Sequence, residues 1–383
     1  AVTQPVEEES GKDFQISEKY GYLHSCPTNL GTGMRASVHI DLPGWTLEGL
    51  PALKARCEEL QVQPRGTRGE SGGQTGITYD ISNKHRLGYS EVELVQKMID
   101  GVNTLWKEDK ELMAKHSEFP EIRSTHSLVA KHVTPELWNK LFNHQTSTSG
   151  FTLAKAIACA VQFDDQHTGI YAGDEDSYKD FAEVFDPIIQ EYHGISADAV
   201  HTSDMDASKI EGNIDDDVPV KSVRIRVGRS IEGFGLSPGI TKEQRIDQEK
   251  LMVSAFTKLE EDLAGDYFPL TGMDEGVRKQ LIDDHFLFVS GDKNLIAAGM
   301  ERDWPEGRGI FHNKEKTFLV WVNEEDQLRI ISMESGGDVK GVFERLVRGI
   351  NAVQQSVKDE SGKDFQISEK YGYLHSCPTN LGT

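Results

Sequence analysis

The chain contains few cysteines, four in 383 residues. Cys26, Cys57, Cys159 and Cys377 lack the close pairwise spacing of a zinc or iron–sulfur site, and no signal-like segment precedes them. Reduced thiols are typical of the cytosol, so we expect a cytoplasmic protein. No apolar run approaches the roughly 20 residues that a membrane-spanning helix needs, and we therefore expect a soluble chain.

Positive charge is also scarce. Lys and Arg number 41 against 63 Asp and Glu, which gives a formal net charge of −22. This balance argues against a general binder of nucleic acid or anionic membranes, although a local basic pocket for a nucleotide is compatible with it. With 37% hydrophobic and 27% charged residues, the chain has the composition of an ordinary globular protein of two or three domains.

The phosphate-binding loop of the P-loop NTPases is absent. Ser10-Gly11-Lys12 is followed by Asp13, so the pattern Gly-x-x-x-x-Gly-Lys-Ser/Thr does not occur here. Any phosphate group would therefore have to be held by other side chains.

A long internal repeat is present. Residues 9–32 recur letter for letter as 360–383, at an offset of 351 residues. The similarity continues imperfectly upstream, between 1–6 and 352–357, which is typical of diverged tandem modules. We interpret the chain as a slice through a tandem array with a second module as partner; a circular permutant is the competing interpretation.

Hydrophobic periodicity predicts an α+β protein, because long helices separate strands that pair with their neighbours along the chain. The predicted strands are 38–42, 77–81, 220–227, 317–322 and 328–333. The predicted helices are 47–61, 90–110, 177–193, 241–264, 275–285 and 338–357. Residues 107–123 are charged and irregular in pattern, and we expect a linker there.

Arginines form one group of candidate binding residues. Arg224 and Arg226 alternate on a predicted strand, so both should project from one face. Arg35, Arg65 and Arg329 lie near glycines or strand ends, and five guanidinium forks would suit a triphosphate. A solvated sheet face is the alternative for the strand pair.

An acidic turn, 323–326, forms a second candidate site. It is either an ordinary hairpin turn or a set of carboxylates for a cationic substrate and hydrated Mg²⁺. Cys26 has a similar pair of interpretations. It is either a small buried apolar residue or a thiolate stabilised by Thr28 and nearby backbone donors.

Together these residues resemble one family, the phosphagen (guanidino) kinases. The resemblance extends from Gly21 to Thr383 in permuted order. The matching segments are Cys26 to His39, Arg65-Gly66-Thr67-Arg68-Gly69-Glu70, Tyr79 to Asn83, Phe185 to Ile189, Arg224 to Ser230, Leu281 to Phe288 and Trp321 to Arg329.

The resemblance implies a domain order. A small all-helical domain is expected at 121–207, and a larger domain of antiparallel sheet flanked by helices should follow. The first half of that catalytic domain would be 213–383 and its C-terminal half 1–106, joined to the rest by a linker at 107–120.

The resemblance also implies residue roles in the transfer of a phosphoryl group between ATP or ADP and a guanidino compound. Glu325, Cys26, Glu70 and Arg329 would be catalytic, and Glu325 would grip the guanidinium and accept its proton. The nucleotide would contact Arg224, Arg226, Arg329, Arg35, Arg65, His39, His285, Asp80 and Ser222. Mg²⁺ would be held through water by Glu324 and Asp326.

The substrate predicted from the resemblance is arginine. Glu70 and Glu325 would bracket one planar cation, and the short segment 163–178 would supply Tyr171, Thr168 and Gly169 as substrate contacts. Gly33-Met34 and Gly173-Asp174-Glu175 look closer to creatine kinases, so taurocyamine and lombricine remain alternatives. A noncatalytic nucleotide-binding module and a cysteine hydrolase are the rival classes.

The repeat leaves one assignment open. Cys26 is our choice of reactive cysteine, and Cys377 is its equivalent in the second copy, which lacks counterparts of Arg35, Glu70 and Asp80.

Overall fold

The computed structural model describes residues 13–65, 76–215, 217–284 and 286–382. The chain divides into two compact units, which we call unit 1 (Ala1–Phe119) and unit 2 (Pro120–Thr383). The predicted site residues Glu70 and His285 lie outside the described residues. No helix in the described ranges is both long and apolar enough to cross a membrane.

Unit 1 contains a small antiparallel sheet in which β5 (Thr78–Asn83) lies between β3 (Ser37–Asp41) and β4 (Val62–Arg65). Its core is apolar and includes Leu53, Tyr79 and Leu105. The strands of unit 1 are β1 (Ile16–Ser17), β2 (Gly21–Tyr22), β3 (Ser37–Asp41), β4 (Val62–Arg65) and β5 (Thr78–Asn83). Its helices are α1 (Pro43–Glu48), α2 (Leu50–Glu59) and α3 (Glu91–Ser117).

Helix α3 is longer than its apolar pattern predicts. It begins with a capping box in which the Ser90 side chain accepts from the Glu93 N–H and the Glu93 side chain accepts from the Ser90 N–H. The prediction of irregular structure from residue 107 is wrong, because the helix continues to Ser117. Buried Asp109 explains this, since it accepts a hydrogen bond from the Trp45 N–H at 2.9 Å and so holds the charged half of α3 against α1.

The first part of unit 2 is all helical, with an apolar core that includes Phe151, Phe181, Phe185 and Ile188. Side-chain caps begin several of these short helices; Thr134, for example, accepts from the Leu137 N–H at 3.2 Å. The helices are α4 (Leu128–His132), α5 (Pro135–Leu141), α6 (Leu153–Ala156), α7 (Ala158–Gln162), α8 (Ser177–Asp180) and α9 (Ala182–His193).

The second part of unit 2 is built on a larger antiparallel sheet, whose strands lie in the order β6 (Ser222–Arg229), β10 (Leu328–Ser335), β9 (Phe318–Val322), β8 (Gly309–Asn313) and β7 (Gly265–Pro269). Apolar side chains on one of its faces pack against α10 (Lys242–Phe256) and α13 (Val339–Ser361), and those on the other pack against α11 (Glu275–Asp283). The strands are β6 (Ser222–Arg229), β7 (Gly265–Pro269), β8 (Gly309–Asn313), β9 (Phe318–Val322) and β10 (Leu328–Ser335). The helices are α10 (Lys242–Phe256), α11 (Glu275–Asp283), α12 (Lys293–Ala297) and α13 (Val339–Ser361).

The predicted pairing of 317–322 with 328–333 is confirmed by the register Val322↔Leu328 and Trp321↔Arg329. The α+β fold class is confirmed as well. The helix predicted at 241–264 ends earlier, at Phe256, and a short 3₁₀ turn (Glu261–Leu263) follows it.

The two copies of the repeat adopt the same local structure. The second copy forms β11 (Ile367–Ser368), β12 (Gly372–Tyr373) and a 3₁₀ turn (Pro378–Asn380), which match β1, β2 and the turn Pro27–Asn29. The local conformation is therefore encoded within the repeated residues themselves.

Candidate active site

Three arginines lie on one face of the large sheet. In the β6–β10 ladder Arg224 is opposite Met333, Arg226 is opposite Ile331 and Gly228 is opposite Arg329. Residues two apart on a strand point to the same face, and directly paired residues share that face. Arg224 and Arg226 are exposed, and the Arg224 guanidinium lies 5.4 Å from the centre of the Trp321 ring.

The arginines repel one another. Partial burial, together with the charges of Arg226 and Arg329, lowers the pKa of Arg224. A surface that concentrates like charges in this way is stabilised by an anion. The face is therefore suited to phosphate groups.

The acidic turn at the end of this face is held by buried amide side chains. Asn323 has a positive φ of 58° and donates through its backbone N–H to the Gln327 carbonyl at 2.8 Å. The Asn323 side chain donates to the Gly307 carbonyl at 2.8 Å, and the Gln327 side chain donates to the Gly235 carbonyl at 2.9 Å. These bonds fix the positions of the three acidic residues between them.

Arg329 joins the acidic turn to the sheet face that carries Arg224 and Arg226, which we call the arginine face. Its side chain is only 7% exposed and donates a hydrogen bond to the Glu325 carboxylate. The same guanidinium lies 3.1 Å from an Asp326 oxygen and 3.6 Å from a Glu324 oxygen. Burial alone would lower the pKa of Arg329, but the charges of Asp326, Glu325 and Glu324 outweigh it and raise that pKa.

Glu325 titrates near neutrality. Burial and the neighbouring charge of Asp326 raise the pKa of Glu325 to about 7, against the opposing effect of Arg329. Burial also raises the pKa of Glu324. A carboxylate with a pKa close to the working pH is well matched to accept and return a proton.

Asp326 behaves differently because donors surround it. Burial would raise its pKa, but the imidazole of His375 and the charge of Arg329 hold that pKa below its usual range. The Asn380 side chain donates to Asp326 at 3.2 Å and the Ser376 N–H donates at 3.4 Å. His375 Nδ1 lies 3.5 Å from Asp326 Oδ1, the oxygen that accepts from Ser376.

The close approach of His375 requires glycine at position 228. A Cβ atom at Gly228 would lie 2.4 Å from His375 Cε1 and 3.1 Å from an Asp326 oxygen. A larger residue would therefore displace the imidazole ring from Asp326.

Cys377 and Tyr171 lie beside Glu325. Burial and the charge of Glu325 raise the pKa of Cys377 to about 12, while the Thr379 hydroxyl, 3.1 Å from the sulfur, opposes the shift. Burial raises the pKa of Tyr171 further, and the charges of Cys377 and Glu325 add to it. Both groups are therefore neutral at pH 7 in this state.

The segment that carries Tyr171 is anchored on both sides. The Val129 N–H donates to the Thr168 carbonyl at 3.2 Å, and the Tyr171 N–H donates to the Ala156 carbonyl at 3.0 Å. The Ala172 N–H donates to the Ser376 carbonyl at 2.7 Å. Thr168 and Gly169 are buried, so they contribute to the shape of the segment.

In unit 1, four predicted nucleotide contacts come together on the small sheet. Asp80 on β5 is paired with His39 on β3 and with Arg65 on β4, so the three side chains share one face. Arg35 forms an ion pair with Asp80. The second Asp80 oxygen is buried and has no hydrogen-bond partner among the described residues.

Cys26 also lies in unit 1, where it is exposed and its sulfur is 2.9 Å from the Thr28 hydroxyl. It lines a cleft of about 930 Å³ together with Thr28, Arg65, Lys84 and Arg86. The predicted catalytic pair Cys26 and Glu325 is thus divided between the two units. In unit 2 the second copy of the repeat supplies Cys377 next to Glu325.

The predicted magnesium ligands differ in their availability. Glu324 is 20% exposed and can hold a water molecule of a hydrated ion. Asp326 is fully buried, and its oxygens are committed to Arg329, Asn380, Ser376 and His375. Across the described ranges no group of three or more His, Cys, Asp or Glu is placed to hold a metal ion. The one available carboxylate, Glu324, suits a magnesium ion that keeps its water molecules and is held mainly by another ligand.

Sequence reasoning missed the residues that hold Asp326. His375, Ser376 and Asn380 belong to the second copy of the repeat, where the only available signal was their identity with His24, Ser25 and Asn29. Ser222 lies at the exposed start of β6, two residues before Arg224 and on the same face.

Comparison with known proteins follows the same division of the chain. The family model for the ATP:guanido phosphotransferase C-terminal catalytic domain matches residues 2–112 and 247–383, and the model for the N-terminal domain of the same family matches 123–190. Arginine kinase from Anthopleura japonica is 48% identical over 380 residues, which are 97% of this chain and 52% of that protein.

Similar solved structures include two kinases. The crystal structure of lombricine kinase has a TM-score of 0.67 at 41% identity, covering 70% of this chain and 74% of the other. The duplicated taurocyamine kinase from Schistosoma mansoni, with bound transition state analog components, has a TM-score of 0.63 at 40% identity, covering 97% of this chain and 53% of the other. The chain therefore spans about half the length of two of the three proteins it is compared with.

Proposed function

Because the chain belongs to the ATP:guanido phosphotransferase family, we propose that it transfers the γ-phosphoryl group of ATP reversibly to the guanidinium of arginine. The observation that carries the proposal is Glu325. It is a partly buried carboxylate with a pKa of about 7, bound to Arg329 at the edge of a face that also presents Arg224 and Arg226.

Glu325 serves as the base. Its carboxylate orients the planar guanidinium of the substrate and accepts the proton that a guanidinium nitrogen loses as it attacks the γ-phosphorus. A nitrogen–phosphorus bond forms while the bond from the γ-phosphorus to the bridging oxygen breaks, and ADP leaves with that electron pair. In the reverse direction Glu325 returns the proton.

The arginine face serves as the phosphate clamp. Phosphoryl transfer depends on in-line placement and charge neutralisation more than on covalent chemistry. Arg224 and Arg226 are exposed and short of counter-charge, so they are suited to phosphate oxygens. Mg²⁺ bound with the nucleotide supplies further neutralisation, and Glu324 would hold one of its water molecules.

Cys377, rather than Cys26, serves unit 2 as the cysteine next to the guanidinium. Its neighbour Ser376 donates to the Glu325 carbonyl at 3.3 Å and accepts from the Ala172 N–H, next to Tyr171, at 2.7 Å. The adenosine and phosphate contacts predicted for Arg35, His39, Arg65 and Asp80 apply to unit 1. The roles of Glu70 and His285 remain predictions from the sequence.

Arginine is proposed as the substrate on two grounds. Arginine kinase from Anthopleura japonica is 48% identical, compared with 41% and 40% for the lombricine and taurocyamine kinases of known structure. The second ground is Glu70, which the sequence predicts to be a carboxylate contact for a guanidinium without an N-methyl group. Taurocyamine is the second candidate, supported by a likeness over 97% of the chain.

The test is ATP-dependent phosphorylation of arginine, creatine, taurocyamine and lombricine in parallel, with the purified chain and with its Glu325→Gln variant. We expect turnover with arginine and its loss in the variant. Turnover with another guanidine only would refute the substrate and keep the reaction. ATP binding without turnover of any of the four, by a chain shown to be folded by circular dichroism, would support a noncatalytic nucleotide-binding module instead.

A further inference from the structure

The first copy of the repeat exposes side chains that the second copy buries. Phe14 is 46% exposed and its equivalent Phe365 is 2% exposed. Leu23 is 45% exposed, whereas Leu374 is 6% exposed. Large apolar residues clustered on a surface indicate that the surface binds something.

Tyr20 and Tyr371 differ in the same way, at 41% and 8% exposure. The difference does not come from local structure, which the two copies share. In each copy the serine hydroxyl of the first short strand accepts from the tyrosine N–H at 3.3 Å, Ser17 for Tyr20 and Ser368 for Tyr371. The surroundings alone therefore decide the exposure.

The helical part of unit 2 covers one side of the second copy. Tyr371, Leu374 and Leu381 join its apolar core. The Tyr371 hydroxyl donates to Asp186 on α9, and Lys370 Nζ forms an ion pair with the same carboxylate at 2.8 Å.

Backbone bonds extend this cover. The Tyr178 hydroxyl donates to the His375 carbonyl at 2.6 Å. On the side of the large sheet, the Gln366 N–H donates to the Ser230 carbonyl at 2.7 Å and the Glu232 N–H donates to the Asp364 carbonyl at 2.9 Å. We call the surface formed by Asp186, Tyr178, Ser230, Glu232 and the adjoining apolar core the acceptor face.

We propose that the first copy, residues 13–30, docks on the acceptor face of another guanidino kinase module. Because the two sequences are identical from 9 to 32 and from 360 to 383, the first copy can make every contact that the described part of the second copy makes. Tyr20 and Lys19 would bind the carboxylate equivalent to Asp186, and Leu23 would enter the apolar core. The inference rests on the repeat and on membership of the family, and it does not depend on the proposed activity.

The partner is a module whose acceptor face is not already covered. In a second unaltered copy of this chain, the second copy of the repeat already occupies the acceptor face. Replacing it by residues 13–30 of another molecule would add no contact and would cost the translational and rotational entropy of association. An open acceptor face removes this competition. The matching local structure of residues 13–30 means that little conformational entropy would be lost on docking.

The test opens the acceptor face in the full chain. In the variant Tyr371→Ser/Leu374→Ser the second copy loses its apolar contacts with the acceptor face. Residues 13–30 of another molecule should then take its place. We expect the sedimentation mass to rise from that of the unaltered chain to twice that value. Adding Tyr20→Ser and Leu23→Ser should restore the original mass.

Ile16→Ser is the matched control, because Ile16 and Ile367 are exposed at 58% and 63% and neither is covered in its copy. The doubled mass should survive this change. Since the double opening could unfold unit 2, Leu374→Ala alone provides a milder acceptor, with circular dichroism to verify folding. Folded acceptor variants that keep the original mass, or association that persists without Tyr20 and Leu23, would overturn the proposal.

Discussion

The Arg329 guanidinium donates a hydrogen bond to the Glu325 carboxylate across the turn that joins β9 to β10. Arg329 is buried and Glu325 is partly buried, and each alters the proton affinity of the other. A substrate guanidinium entering the site would bring a second cation to the same carboxylate. In the proposed reaction the pair would place a proton acceptor between the phosphate groups and the cationic substrate.

Changing Glu325 to Gln should lower kcat about 10²-fold or more, because the amide retains the shape but cannot accept the proton. The measurement is steady-state phosphorylation of arginine. Glu334→Gln is the matched control on β10, the strand that follows the turn, since Glu334 pairs with Arg345 and is 41% exposed. Near-normal turnover of the Glu325 variant would remove this residue from the mechanism.

The pH dependence follows from the raised pKa of Glu325, about 7. The base must be ionised to act, so kcat/KM should fall as the pH drops below 7, by up to about tenfold per unit, and level off above it. The measurement is a pH profile between 5.5 and 8.5 in buffers of constant ionic strength. Any residual activity of Glu325→Gln should not show this fall in kcat/KM below pH 7. If the fall is unchanged in the variant, the titration belongs to another group.

Arg226→Ala should lower kcat/KM for ATP about 10²-fold, within the range for removal of one donor to a developing charge. Arg226→Lys should be intermediate, because lysine keeps the charge and loses the fork. Arg348→Ala is the control, since Arg348 is half exposed and paired only with Asp262 among the described residues. Equal losses in the two alanine variants would argue against a phosphate clamp on β6.

Gly228→Ala should destabilise unit 2 by about 1–3 kcal/mol, because the new Cβ would lie 2.4 Å from His375 and force the ring away from Asp326. The measurement is the free energy of unfolding by chemical denaturation, for Gly228→Ala, for a control variant and for the unaltered chain. Gly337→Ala is the control, since its Cβ would meet neighbours only at 3.6 Å or more. An equal free energy of unfolding in all three would show that His375 adapts without cost.

Local patterns predicted much of this protein, and long-range contacts account for what they missed. The alternation of Arg224 and Arg226, and the acidic turn between two apolar strands, were sufficient to place those side chains. The sequence could not show that Asp109 continues helix α3, because that depends on a partner 64 residues away at Trp45. Cys26 and Cys377 could not be distinguished from sequence, because their flanking residues are the same. Only the surrounding fold makes Cys26 exposed and Cys377 buried.

Alkylation can distinguish these two cysteines. Cys377 is 6% exposed and burial raises its pKa to about 12, so its reactive thiolate is scarce at pH 8. Cys26 is exposed, and we expect iodoacetamide to modify it first. Trypsin cleavage gives different peptides, 20–35 and 371–383, so mass spectrometry can follow each rate separately.

Mg-ADP, nitrate and arginine together should slow the labelling of Cys377 further, because they would occupy the pocket next to Glu325. The turnover of Cys377→Ser should also fall more than that of Cys26→Ser. The reverse order, with protection and loss of activity at Cys26, would restore the assignment made from the sequence and place the working cysteine in unit 1. Equal labelling of Cys377 with and without the mixture would count against a site cysteine in unit 2, since a ligand beside Glu325 cannot leave a neighbouring sulfur equally accessible.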